Sequence, residues 1–130
     1  MSHKSQTKAP TQRQLRVGEE IRHVLAGIFM RGECYDPDVT RTPITVSEVR
    51  ISPDLRNATA YVMPLGGENR EVVMHALIRN LPIFRKLVGD QMKLRYAPRI
   101  HFRLDESFDE AYRIEKLLRT PEVARDLEKK

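Results

Sequence analysis

The stretch EVVMHALIRNLPIFRKLVGDQMKLRYAPRIHF, residues 71 to 102, decides the fold. Two helix-like runs, Glu71 to Arg79 and Ile83 to Leu94, meet at Asn80-Leu81-Pro82 and feed a strand. In the first run Val72, Val73, Ala76 and Leu77 recur at helical spacing and predict a buried stripe. A proline inside a continuous helix removes a backbone donor and clashes with the preceding turn, at about 3 kcal/mol. At the first position of a new helix it costs little. Asn80-Leu81-Pro82 therefore predicts a break or sharp kink. At about 100° per residue, the second run gathers Phe84, Leu87, Val88, Gln91 and Leu94 on one side. Lys86 and Lys93 fall within about 20° of each other on the other side. One face packs and the other is basic, and Arg79 extends the basic row if helical phase survives the break.

Beyond this pair, Arg95 falls on the apolar side of the wheel, so it lies past the helix end or snorkels outward. Tyr96-Ala97-Pro98 reads as a connector. Arg99 to Leu104 then gives the cleanest alternation in the chain, with Ile100, Phe102 and Leu104 set against Arg99, His101 and Arg103. This is a strand whose apolar set faces the helices. Its basic or titratable set faces the opposite surface.

Toward the N-terminus, Gly66-Gly67 supplies a turn, and Asn69 is placed to accept hydrogen bonds from a helix starting at Arg70. Ile44 to Ile51 and Asn57 to Met63 flank the turn Ser52-Pro53-Asp54 and predict a hairpin. In its first strand the apolar phase slips between Val46 and Val49, which predicts a bulge near Ser47 or Glu48. Residues 33 to 43 carry two prolines and two aspartates and read as a loop. Asp36 and Asp38 lack the remainder of a calcium-binding pattern, so loop solvation is their expected role. From Arg13 the residues Val17, Ile21, Val24, Leu25 and Ile28 mark a helix that ends near Arg31, with Gly32 as its stop. Its polar face mixes signs, and Arg13 and Arg16 are the cations there open to a polyanion. Residues 1 to 11 read as a mobile basic arm. At the other end, Ser107-Phe108-Asp109-Glu110 has the form of a capping box before a last helix carrying Ala111, Ile114 and Leu118. Pro121 ends that helix, and residues 121 to 130 form a charged tail.

The 130-residue chain accommodates one domain, here residues 12 to 120, with 40% apolar and 32% charged residues. A formal net charge of +5 favours polyanionic partners, nucleic acid first among them. Residues 70 to 99 alone hold seven Lys or Arg against Glu71 and Asp90, an excess equal to that of the whole chain. The single cysteine, Cys34, forms no internal disulfide. The longest apolar run, Leu25 to Met30, is too short for a membrane span, and Met1 to Gln14 lack the apolar core of a signal peptide. A cytoplasmic protein is expected. Zinc spacing, a phosphate-cradling glycine loop and a nucleophile beside a base are all missing from the sequence. No catalysis, metal or cofactor is expected. The candidate binding residues are Arg79, Arg85, Lys86, Lys93, Arg95, Arg99, His101 and Arg103, joined by Arg13 and Arg16. Two other readings stand beside nucleic-acid binding: a protein-interaction module with a basic face, and a nuclease-like enzyme.

The order helix, strand, strand, helix pair, strand resembles an α+β, type II KH-like domain with a three-stranded sheet, although the usual Gly-x-x-Gly loop is missing. The chain resembles the ribosome-binding factor A family, a bacterial KH-like family without that loop. The matching runs are Arg13 to Arg31, Asp36-Pro37, Thr45-Val46-Ser47-Glu48-Val49, Ser52-Pro53-Asp54-Leu55 and Ala58 to Val62. Leu87-Val88-Gly89, Lys93-Leu94-Arg95, Pro98 to Phe102, Arg113-Ile114 and Leu117-Leu118 continue the match. Two positions depart from the family pattern: Asn80-Leu81-Pro82 stands where an Ala-x-Gly kink is expected, and Asp38 where Arg is common. The resemblance implies a monomeric assembly factor that binds the free small ribosomal subunit and its 16S rRNA. It also implies support for late maturation and rRNA end processing, release by remodelling of the subunit or by an assembly GTPase, and no catalysis.

Overall fold

The computed structural model describes residues 9–66, 69–93 and 96–107. Helix α1 spans Gln12–Arg31 and opens with a reciprocal cap. Thr11 Oγ1 accepts from the Gln14 amide at 3.1 Å, and Gln14 Oε1 accepts from the Thr11 amide at 2.9 Å, so two donors that a helix start leaves open are satisfied. Gly32 closes the helix at φ 64°, a left-handed conformation that glycine adopts without steric cost. Ile21, Leu25 and Ile28 lie along one stripe and are fully buried. Gly18 sits on the same face, where an added Cβ would lie 2.6 Å from the Val49 carbonyl oxygen, so its lack of a side chain sets how closely α1 approaches the sheet.

The segment 33–43, expected as a loop, contains a one-turn helix, α2, over Pro37–Thr40. Asp36 caps it by accepting from the Asp38 amide at 3.1 Å, and Pro37 occupies a first-turn position whose backbone donor would be unused anyway. The antiparallel hairpin follows as β1, Ile44–Ile51, and β2, Asn57–Pro64, with the register slipping between Val46 and Glu48. The expected bulge is therefore at Ser47. Strand β3, Arg99–Leu104, joins β2 in parallel, giving the sheet order β1-β2-β3.

The helix pair is α3, Arg70–Arg79, and α4, Leu81–Met92. Asn69 makes no side-chain cap to α3, contrary to the sequence expectation. Val73, Ala76 and Leu77 are buried in α3, whereas Val72 is 48% exposed because it lies at the edge of the stripe. The break is one residue wide. Asn80 is buried, with φ −102° and ψ 13°, and its side-chain amide donates to Ala76 O at 2.7 Å and to Asp36 Oδ2 at 2.8 Å. Its backbone carbonyl accepts from the amides of Ile83 and Phe84, so the polar groups exposed by the kink are paired. Leu81, expected within the break, is the first residue of α4, and Pro82 lies in its first turn.

The core lies between the helices and the face of the sheet that carries Val46, Ile51, Ala58, Ala60, Val62, Ile100 and Phe102. Phe84 of α4 stands edge-on to Phe102 of β3 at 5.0 Å, and Phe29 of α1 lies 5.5 Å from Phe84. These rings join three elements, each pair adding roughly 0.5–1.5 kcal/mol beyond simple burial. Ser107, expected as the cap of a last helix, is already helical, and Asp105 Oδ1 accepts from its amide at 3.0 Å; the rest of that helix and the tail, most of the N-terminal arm, Leu94 and Arg95 lie outside the described residues.

Candidate nucleic-acid interface

Strand β3 is an edge strand, and α4 runs beside it across the connector at Ala97. Gly89 permits this approach, because a Cβ there would stand 3.0 Å from the Ala97 Cβ. The guanidinium of Arg85 pins the same connector, donating from Nε and Nη2 to Ala97 O at 3.3 and 3.2 Å. Between the two elements lies a groove of about 650 Å³. Leu81, Pro82, Gly89, Ala97 and Ile100 contribute apolar surface, while Arg85, Lys86, Arg99 and His101 are its cationic or titratable lining and Asp90 its only acid. The kink residues Leu81 and Pro82 thus wall one end of the groove. A sugar-phosphate strand fits such a surface chemically, with cations for phosphates and apolar area for bases.

Within this groove Lys86 reaches Asp90 at 3.3 Å, with side chains 77% and 65% exposed. An ion pair so open to water contributes little and yields readily to a phosphate. His101 Nε2 lies 3.1 Å from Asn57 Oδ1, across the sheet. Arg99 is anchored through its backbone amide to Arg56 O at 2.7 Å, and its exposed side chain makes no ion pair with any described residue. The same is true of Arg103, Lys93, Arg13 and Arg16.

The structure does not assemble the basic row expected along the helices. Lys93 is not on the wheel, because it is the left-handed cap of α4 at φ 54°. Arg79 faces away from the groove toward the segment around α2, with Asp36 Oδ2 at 2.7 Å and Asp38 Oδ2 at 2.8 Å. Asp36 also accepts from Asn80, and that hydrogen bond, reinforced by the Asp38 amide and Arg79, holds its carboxyl below the usual carboxylate range. The two carboxylates in turn raise the Arg79 pKa. A second tie fixes the same segment, since Gln91 Nε2 donates to Glu33 Oε1 at 2.7 Å and Arg31 donates to both Glu33 and Gln91. Arg13 and Arg16 are exposed on the first turns of α1, whose start is tied to the end of β1 by Gln14 Nε2 donating to Ile51 O at 3.0 Å.

Sequence reasoning missed two outward residues of the sheet, Arg50 and Tyr61, the guanidinium carbon of the first lying over the ring of the second, 5.3 Å from its centroid. The signal was present in the strand alternation, which puts both on the side opposite the core. Among the described residues, no three His, Cys, Asp or Glu side chains gather where a metal ion could sit, and no helix is long and apolar enough to cross a membrane.

The family model for ribosome-binding factor A matches residues 13–118. The chain belongs to the ribosome-binding factor A family. It is 51% identical over 127 residues to ribosome-binding factor A of Methylobacterium nodulans, covering 98% of this chain and 94% of the relative. The protein of the same name from Rhodopseudomonas palustris is 53% identical over 125 residues, covering 96% and 91%. Among solved structures, the crystal structure of ribosome-binding factor A from Thermus thermophilus has a TM-score of 0.59 at 24% identity, covering 70% of this chain and 94% of that one. The solution structure of a Thermotoga maritima putative ribosome binding factor A has a TM-score of 0.57 at 28% identity, covering 73% and 89%. A Thermus thermophilus homology model fitted into a cryo-EM map of a 30S complex has a TM-score of 0.55 at 23% identity, covering 68% and 91%. The α+β architecture, with its broken helix pair, is accordingly KH-like.

Proposed function

We propose that the chain is a non-catalytic assembly factor that binds the free small ribosomal subunit through its 16S rRNA, in the cytoplasm and as a monomer. The observation that carries this reading is the α4–β3 groove, where Arg85, Lys86, Arg99 and His101 surround an apolar floor with Asp90 as the one acidic neighbour. Family membership and the 30S complex of a Thermus thermophilus homologue support the same partner. Lys93, Arg95, Arg103, Arg13 and Arg16 extend the contact, while Arg79 fixes the segment around α2 against the kink. Phosphate contacts position such a protein without reading sequence, so recognition rests on the shape of the rRNA. Late maturation and rRNA end processing follow from occupancy of the immature subunit, with release by remodelling of the subunit or by an assembly GTPase.

The test is sedimentation of a cell extract, with cofractionation on free small subunits and exclusion from translating ribosomes expected. With about six phosphates neutralised, affinity falls roughly a thousandfold between 50 and 200 mM salt. Charge reversal at Lys86 and Arg99 lowers subunit binding and flattens that salt slope. Unchanged binding by the double variant overturns the groove as the contact. A position at the top of the gradient in low salt overturns the subunit as the partner.

A further inference from the structure

The helices cover one face of the sheet, and the outward positions of the three strands make a second surface that shares only Arg99 and His101, on the β3 edge, with the groove. Its cross-strand rows follow from the register: Asn57 beside Arg99, Arg50 beside Thr59 and His101, and Glu48 beside Tyr61 and Arg103. A solvated sheet face ordinarily mixes charge signs, yet here Arg50, Arg99 and Arg103 are opposed by Glu48 alone among the outward strand positions. Glu48 is itself engaged, its Oε2 accepting from Arg50 Nε at 2.8 Å.

That contact orients Arg50. Its guanidinium carbon stands 5.3 Å from the centroid of the Tyr61 ring, while the side chain remains 68% exposed. The guanidinium therefore lies over an aromatic ring with a carboxylate beside its Nε, and most of the side chain is open to solvent. A flat cation fixed in this way suits the face of an unstacked base, which duplex RNA does not present. Arg99, His101 and Arg103 alternate along β3, so successive side chains are about 6.6 Å apart. That interval is close to the separation of successive phosphates in an extended RNA strand.

We propose that the open sheet face is a second RNA-contacting surface, taking an unpaired segment with one base stacked on the Arg50–Tyr61 plate and its phosphates along Arg103 and His101. The inference rests on the reading of the chain as an rRNA-binding factor and adds a single-strand preference to it. Arg50 and Tyr61 do not line the α4–β3 groove, so the two surfaces are separable by substitution.

The experiment compares the full chain with Arg50→Lys, which keeps the charge and removes the plane, and with Tyr61→Phe, which keeps the ring. The probes are a short unpaired oligoribonucleotide carrying one 2-aminopurine, the same strand in a duplex, and purified immature small subunits. Arg50→Lys should bind the unpaired strand roughly tenfold more weakly and lose the stacking quench of 2-aminopurine. Its duplex affinity and thermal midpoint should stay at the wild-type values, and Tyr61→Phe should bind like wild type. Wild-type quench and affinity in Arg50→Lys overturn the plate alone, leaving the proposed function intact. Equal losses on unpaired and duplex RNA overturn it as well, since charge or folding then explains the effect. Loss on the subunit with none on naked RNA assigns the face to a ribosomal protein and overturns the RNA assignment. Wild-type protein that binds none of the probes overturns the functional reading and this inference with it.

Discussion

Two glycines of α1 make opposite predictions from the same substitution. Helix propensity alone favours alanine over glycine by roughly 0.5–1 kcal/mol at either site. At Gly18 the new Cβ would meet the Val49 carbonyl oxygen at 2.6 Å, which is 0.8 Å short of ordinary contact at 3.4 Å, and the obstacle is backbone in the middle of β1. Relief requires α1 to lift from the sheet, opening gaps around Ile21 and Leu25, both fully buried. Overpacking of this kind costs about 1–3 kcal/mol, so the net expectation for Gly18→Ala is a loss of about 1–2 kcal/mol. At Gly27 the Cβ would meet Arg31 Nη1 at 2.8 Å, the far end of a half-exposed side chain that can turn aside at the small cost of its solvent-exposed bonds to Glu33 and Gln91. Gly27→Ala should therefore raise stability by about 0.5–1 kcal/mol. Urea denaturation with m-values checked for constancy measures both. If Gly18→Ala proves as stable as Gly27→Ala, the close α1–β1 approach does not constrain the fold and the reasoning fails.

Other perturbations probe the kink and the core. The Asp36 pKa is depressed by Asn80, the Asp38 amide and Arg79, so its contribution is present above the ordinary carboxylate range and is lost as pH falls through its folded value. Acid titration of stability should show a decline below about pH 4 that is shallower in Asp36→Asn. Pro82→Gly should keep the fold, because Asn80 rather than the ring closes the break, and lower stability by about 0.4–1 kcal/mol through a more flexible unfolded chain. A circular-dichroism spectrum showing lost helix would contradict that assignment. Phe84→Ala removes a fully buried ring from the contact among α1, α4 and β3 and should cost about 3–5 kcal/mol in the same denaturation assay.

Much of the architecture was legible because period and punctuation agree. The phase slip between Val46 and Val49 located the bulge, Gly32 marked the end of α1, and the alternation of Arg99 to Leu104 gave β3 with its correct face. Short or polar features were less visible. Proline and aspartate signal both loops and helix starts, so the four residues of α2 were read as loop. Thr11 and Gln14 form a capping box whose polar spelling matched the arm expected before α1. The candidate site was only partly legible, for a different reason. A helical wheel fixes where a side chain leaves its own helix, not what stands opposite. Arg79 meets Asp36 and Asp38 from about forty positions away in sequence, and Arg85 turns to a backbone carbonyl across the connector. Neither contact has a local signal.

These contacts relocate the basic surface. Of the cations in residues 70 to 99, Arg79 is neutralised by two aspartates, Arg85 is tied to Ala97 O, and Lys86 has Asp90 beside it. Lys93 and Arg99 remain exposed without a described partner, and Arg103 continues from Arg99 along β3. Asn80 and the two aspartates meet at one junction. Asn80 brings an amide that needs an acceptor, which Asp36 supplies, and Asp38 stands where it captures the adjacent Arg79. With the helix side of the junction neutralised, the unpaired positive charge moves to the strand. The edge that separates groove from open sheet, rather than the kink itself, therefore carries the exposed cations on which the proposed phosphate contact rests.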